Sequence, residues 1–284
     1  MEGAENMPRE PRSIGLLPAF NATGTIADAA FSLFPTTVPF ELLIVDDGSR
    51  ERVADVLARD ARYDHYGDKI HILRKEPNGG LIDALNDGLA WILARDYDYV
   101  IRMDSDDIAV PGRVDSQVAF MQARPHILMA GAVSHNFHKT PGDGLLNRWP
   151  TEPDAIRRRM RVTSCLSHPT FIVRTDTYRR VGLYDHAYLH GEDFDWLWRC
   201  LRAGPVANQA DCLLHWRASP TQVSRRHWRT QLKVRARVLT REFLRGDLGC
   251  IIGIAKAGVQ LALPFRQQIV STVRRMQARA QTAP

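Results

Sequence analysis

Cysteine is scarce: four residues in 284, at positions 165, 200, 212 and 250, never approach the close pairs of a structural zinc site. Reduced thiols in a cytoplasmic protein are expected, in place of a disulfide framework. Nothing at the N-terminus reads as a signal peptide. A membrane span needs roughly 20 apolar residues, and the longest apolar stretch of the tail, residues 248–265, is broken by Lys256. No G-x-G-x-x-G and no G-x-x-x-x-G-K-S/T is present, which argues against the common dinucleotide site and the ATPase-type phosphate loop. Internal repeats and low-complexity segments are also missing.

What is present fits one large globular domain, or a main domain with a small appendage: 44% of residues are apolar and 25% charged. The net charge of +6 is unevenly placed. Residues 225–284 hold 13 basic and 2 acidic side chains, leaving the first 224 residues acidic. Such asymmetry suggests an anionic partner for one end, a membrane surface or nucleic acid. Phe243, Leu244, Leu248, Ile251, Ile252 and Ile254, then Leu261, Leu263, Phe265, Ile269 and Val273, offer an oily side beside the arginines. That pattern suits an interfacial helix and equally a helix packed on its own domain with a wet basic face.

Strand and helix patterns alternate through the first hundred residues. Strands are expected at 13–17, 41–45, 69–73 and 99–103, and helices at 24–34, 50–61 and 81–94. Ile26, Ala30, Leu33 and Phe34 form one buried stripe; Leu81, Ala84, Leu85, Gly88, Leu89 and Ile92 form another. Repeated βα units imply a mostly parallel sheet with helices on both faces, and ligands at the C-terminal ends of its strands. Beyond residue 110 the rhythm loosens. Helices are expected at 113–123, 157–162 and 193–201, strands at 128–133 and 170–173, and an exposed loop or short hairpin at 135–153.

Two acidic clusters, at 46–47 and 104–107, sit where such a sheet binds ligands, and a third opens a later helix. Asp104-Ser105-Asp106 leaves the strand at 99–103, and carboxylates two apart in an irregular turn can share one hard divalent cation, Mn2+ or Mg2+. A cation there would neutralise a departing nucleotide diphosphate. Asp107 is either a further ligand or a loop-holding acceptor, and Arg102 either neutralises the cluster or touches phosphate. Asp46-Asp47-Gly48-Ser49 is an Asx turn with a helix cap, a nucleotide contact, or both. Asn78-Gly79-Gly80 places backbone amides before a helix, where phosphate can sit. Gly191-Glu192-Asp193 opens an aromatic helix; Asp193 is either a cap or a general base that deprotonates an acceptor hydroxyl. His168 and Arg217 touch substrate or simply order their loops.

These segments resemble the family 2 glycosyltransferases, inverting GT-A enzymes of bacterial surface-polysaccharide and lipopolysaccharide synthesis. The matching stretches are LLPAFNA at 16–22, ELLIVDDGS at 41–49, PNGGLIDALNDGLAW at 77–91, YVIRMDSDDIAVPGRVDSQ at 99–117, HPTFIVR at 168–174, VGLYD at 181–185 and GEDFDWLWR at 191–199. The resemblance implies a GT-A-like α/β domain over 13–224, after a flexible leader at 1–12 and before a basic helical extension at 225–284. It implies metal at Asp104 and Asp106, catalysis by Asp193 with Glu192 in support, and His168 near donor or acceptor. Donor contacts are expected from Pro18, Asn21, Asp46 or Asp47, Asn78, Arg102, Ser105 and Arg217. A UDP-sugar is the favoured donor, and a glycan or lipid-linked glycan the acceptor.

Residues 222–228 break the Q-x-x-R-W pattern of processive relatives, so single additions are expected. The basic tail would then bring the enzyme to the inner face of the cell membrane. Two other readings compete. A sugar nucleotidyltransferase should carry a Gly-rich basic loop where residues 16–21 have none. A non-catalytic nucleotide-sugar-binding protein should lack Asp104, Asp106 or Asp193, and all three are present. No nucleic-acid partner is expected, because the acidic remainder of the chain repels phosphate.

Overall fold

The computed structural model describes residues 9–219 and 226–262. Four strands, β1 (Ser13–Ala19), β2 (Phe40–Asp46), β3 (Ile70–Arg74) and β4 (Tyr99–Arg102), pair in parallel, with β1 between β2 and β4 and β3 outside β2. The register sets Ala19 beside Asp46 and Asp46 beside Arg74, so these strand ends are level. All seven residues of β1 are buried, as expected for a parallel strand covered on both faces. Successive side chains serve opposite cores: Leu16 and Val45 face one cluster, Leu17 and Ile44 the other.

Helices α1 (Ile26–Phe31), α2 (Val53–Leu57), α3 (Tyr63–Tyr66) and α4 (Leu81–Leu93) fill the crossovers. The helix α4 lies very close to the sheet at Gly88, where a Cβ would come within 2.5 Å of Leu16. Its expected stripe is buried except at Leu81, which is 37% exposed. As the first residue of α4, Leu81 lies beyond the helix's line of contact with the sheet. The helix expected at 50–61 is cut short, with α3 as a separate turn.

The second half departs from the parallel plan. Strands β5 (Ile108–Ala109), β6 (Met129–Phe137), β7 (Leu146–Asn147), β8 (Ile172–Arg174) and β9 (Val206–Arg217) extend one sheet in the order β3-β2-β1-β4-β8-β6-β9-β5, with β7 on β6. Here β8 runs antiparallel to β4 and β6, β6 and β9 are parallel, and β5 is antiparallel to β9. The sheet is parallel on the β1–β4 side and mixed beyond it. The β6–β7 pair is the hairpin expected within 135–153.

Helices α5 (Arg113–Gln122), α6 (Pro153–Met160), α7 (Thr175–Val181) and α8 (Glu192–Ala203) follow the strands, and Phe194, Leu197, Trp198 and Leu201 of α8 point inward as expected. Two further helices, α9 (Trp228–Leu244) and α10 (Cys250–Ala262), add Val234, Val238, Leu239 and Cys250 to the core cluster of α4 and α8. The expected domain boundary at 224–225 lies outside the described residues, as do Leu263, Phe265, Ile269 and Val273. Residues 9–12, expected within a flexible leader, are tied to the sheet domain: Arg9 pairs with Asp96 and Asp98, and Arg12 with Glu41. No helix among the described residues is long and apolar enough to cross a membrane.

Candidate active site

The parallel side of the sheet delivers β4 into Met103-Asp104-Ser105-Asp106-Asp107. Carboxylate oxygens of Asp104, Asp106 and Asp107 lie within 4.8 Å of one another. Burial, then the neighbouring Asp104 charge, pushes the Asp106 carboxyl up to about 6. The same two causes, with Asp106 added, push Asp107 well above the usual carboxylate range. Three acids held this close repel one another, and a divalent cation would offset that repulsion. One Asp107 oxygen accepts from the Arg217 amide at 2.8 Å, while the other is buried without a protein partner. The loop-holding role expected of Asp107 is thus seen in its bond from the Arg217 amide. The donor set, oxygen only and grouped in an irregular turn, fits Mn2+ or Mg2+.

Two cations flank this turn. Arg102 is 2% exposed; one guanidinium nitrogen pairs with Asp104 at 2.6 Å, while Nε and Nη1 find no protein acceptor. Arg217, at the end of β9, donates through Nε to the Asp106 carbonyl at 2.7 Å and lies over the Phe137 ring. Ser105 is half-buried within the turn.

Glu192 and Asp193 begin α8. Burial, with the adjacent Asp193 charge, pushes the Glu192 carboxyl up to about 7, and one of its oxygens has no partner. Burial also raises Asp193, against the pull of the Phe194 amide, Arg102 and Arg235. Asp193 accepts from that amide at 2.7 Å. Arg102 acts on both acidic groups, lowering Asp106 and Asp107 as well as Glu192 and Asp193.

The loop before α8 is gripped by α9. A Cβ on Gly191 would come within 2.5 Å of Val234. Arg237 donates to the Ala187 carbonyl, Arg241 pairs with buried Asp195 and reaches the Tyr188 hydroxyl, and Arg235 lies over Phe194. The sequence gives no sign of this grip, because it depends on how two helices far apart in the chain register against each other.

The turn after β2 is organised differently. Asp46 accepts from the Ser49 and Val53 amides and from Arg74 at 2.6 Å; burial alone would raise its carboxyl, but these bonds outweigh it and hold it below the usual range. Asp47 accepts from the Asn78 side chain and from the Gly79 and Gly80 amides. Those two amides, expected to face phosphate, are thus directed at a carboxylate of the protein itself. Asn21, with φ 52°, takes its own amide to the Ser49 hydroxyl and accepts from the Arg50 amide. Pro18 is buried inside β1. These residues form one knot of loops at level strand ends. His168 lies apart from it, half-buried, with Nε2 2.8 Å from the Tyr184 hydroxyl. Burial and then Arg102 keep its imidazole neutral.

Residues 16–182 match the sequence model of "Glycosyl transferase family 2". The chain belongs to that family. It is 33% identical over 156 residues to the amylovoran biosynthesis glycosyltransferase AmsE of Erwinia amylovora, a match covering 55% of this chain and 57% of that protein. It is 30% identical over 175 residues to the UDP-Gal:alpha-D-GlcNAc-diphosphoundecaprenol beta-1,3-galactosyltransferase of Escherichia coli, covering 61% of each. The match therefore spans less than two thirds of either relative. In fold the chain resembles the mannosyltransferase PcManGT of Pyrobaculum calidifontis, solved with GDP-Man and Mn2+: the TM-score is 0.63 at 14% identity, covering 98% of this chain and 77% of that one. Within this family 2 chain, the family match ends at Val181-Gly182. The Glu192-Asp193 pair, Arg217 and the α9 grip all lie beyond it.

Proposed function

We propose that this family 2 protein is an inverting, metal-dependent and non-processive glycosyltransferase that moves a sugar from a nucleotide-diphosphate sugar to a hydroxyl of a glycan or lipid-linked glycan. One observation carries the reading: three carboxylates within 4.8 Å of one another in the turn after β4, one of them paired with the buried Arg102. Asp104 and Asp106, with Asp107, would hold Mn2+ or Mg2+, which supplies Lewis-acid assistance to the departing nucleotide diphosphate. Arg217 and the unpaired edge of Arg102 supply positive charge beside the same diphosphate.

Asp193 takes the proton from the acceptor hydroxyl as that oxygen attacks the anomeric carbon from the face opposite the leaving group, which inverts the carbon. Burial raises its pKa, which makes it a stronger base than an ordinary carboxylate. Glu192 shares its proton equilibrium. Pro18, Asn21, Asp46, Asp47 and Asn78 shape the nucleotide end of the site, His168 the donor or acceptor end, and Ser105 the turn between the ligands. A UDP-sugar is favoured because the similar Escherichia coli protein is named for UDP-Gal. The same name, with its diphosphoundecaprenol acceptor, supports a lipid-linked glycan and hence work at the inner face of the cell membrane.

The test is a panel of nucleotide sugars with the purified chain and lipid-linked acceptors, each with Mn2+, Mg2+ or chelator. The reading expects metal-dependent release of a nucleoside diphosphate together with a product of inverted anomeric configuration. Release of pyrophosphate from a nucleoside triphosphate would assign a nucleotidyltransferase instead. Donor binding with no turnover on any acceptor would assign a binding protein.

A further inference from the structure

The C-terminal helices leave one surface without a partner among the described residues. Leu244, Leu248, Ile251, Ile252 and Val259 are 78%, 69%, 52%, 63% and 59% exposed. The other exposed large apolar side chains, Phe20, Leu81 and Leu189, belong to other parts of the chain. At a helical turn of about 100° per residue, Ile251, Ile252, Ala255, Val259 and Ala262 fall on one side of α10. All five are exposed, and none is charged. The opposite side, with Cys250, Gly253 and Ala257, is buried on the domain.

This face is held in a fixed attitude. Arg161 pairs with Asp247 at 2.8 Å in the turn between α9 and α10, and Ile254 and Phe243 pack against the main core. The apolar side is therefore presented outward by a packed helix pair. A contiguous exposed apolar strip of this kind marks a binding surface.

Charge decides between the candidates for its occupant. Residues 226–262 carry eight basic and two acidic side chains, while the chain up to residue 224 is acidic. A second copy docked through the same face would bring two basic segments together, and they would repel. An anionic bilayer attracts them, at a depth where apolar side chains enter the acyl boundary and arginines remain among headgroups. We infer that α10 and the turn before it form an interfacial docking face for anionic phospholipid, with Leu248, Ile251, Ile252 and Val259 as the inserted side chains. This deepens, and rests on, the proposed work at the membrane.

The test uses the full chain and sedimentation with vesicles of phosphatidylcholine alone or mixed with phosphatidylglycerol. The variant is Leu248→Glu with Ile252→Glu, two exposed positions with no part in the acidic clusters. The wild type should sediment with the mixed vesicles and only weakly with neutral ones, and salt should reduce binding. The variant should lose about tenfold or more of its partition, while its Tm and its metal-dependent thermal shift with UDP stay at the wild-type values. Equal sedimentation of variant and wild type would overturn the inference, because basic residues alone would then account for binding. So would a wild-type dimer that the variant converts to monomer, or a lowered Tm of the variant, which would show the face covered by protein. Failure of the function reading is separate: it appears as absent sugar transfer with vesicle binding intact.

Discussion

The turn after β2 and the turn after β4 both place consecutive aspartates at C-terminal strand ends, and the protein treats them in opposite ways. Asp46 is surrounded by donors, two amides and Arg74, and its carboxyl is held below the usual range. Asp106 and Asp107 are raised by burial first and then by the like charges beside them, with few donors to offset either. A satisfied carboxylate stabilises the fold, whereas an under-satisfied group of three stores electrostatic strain that a cation relieves. Residue type and location are the same. The difference lies in how many donors the surrounding loops supply.

The largest expected effect tests the other raised pair. Asp193→Asn should lower turnover by about 10²- to 10⁴-fold with donor KM little changed, measured as nucleoside diphosphate release over a donor titration. Asp104→Asn or Asp106→Asn should weaken Mn2+ binding on the order of 100-fold, read as the metal concentration for half-maximal activity. Asp106→Asn should not lower Tm, since it removes like-charge repulsion, whereas Asp104→Asn should lower it, because buried Arg102 loses its carboxylate partner. Asp46→Ala should also destabilise the fold, costing about 2–4 kcal/mol in urea unfolding because three donors lose a charged acceptor.

The smallest effect concerns pH, and its sign separates the two kinds of acid. Asp46 has a folded-state pKa below its ordinary 3.8, so its stabilisation is present above that value and is lost as pH falls further. Glu192 has a folded-state pKa of about 7 against an ordinary 4.5. Its ionised form is therefore destabilising above pH 7, and that penalty disappears as pH falls toward 4.5. Glu192→Gln should raise stability by about 1–3 kcal/mol at pH 8 and change it little at pH 4.5, measured by unfolding at both values.

Much of the acidic edge of the sheet was legible because it is local. A β-branched or apolar run followed at once by aspartates specifies both the strand and the turn, and the first four strands and the α8 core face appear where the periodicity puts them. The mixed half was less readable. The β9 sequence, VANQADCLLHWR, lacks clean alternation, and its pairing with β6 is interrupted by a register shift near Val133. That strand carries Arg217 to the turn after β4, so its contacts with Asp106 and Asp107 could not be read from spacing. The grip of α9 on Gly191 and Asp195 depends on long-range packing in the same way. Both acidic turns look alike as strings of letters, because the donors that distinguish them include residues distant in sequence, Arg74 and Gly80 for the turn after β2 and Arg217 for the turn after β4.

The most direct measurement is calorimetric titration of Mn2+, with and without UDP, into the wild type, Asp106→Asn and Asp46→Asn. Mn2+ should bind the wild type, more tightly when UDP is present; Asp106→Asn should lose this heat, and folded Asp46→Asn should retain the Mn2+ site. Equal Mn2+ binding by wild type and Asp106→Asn would contradict the assignment of the β4 turn as the metal site.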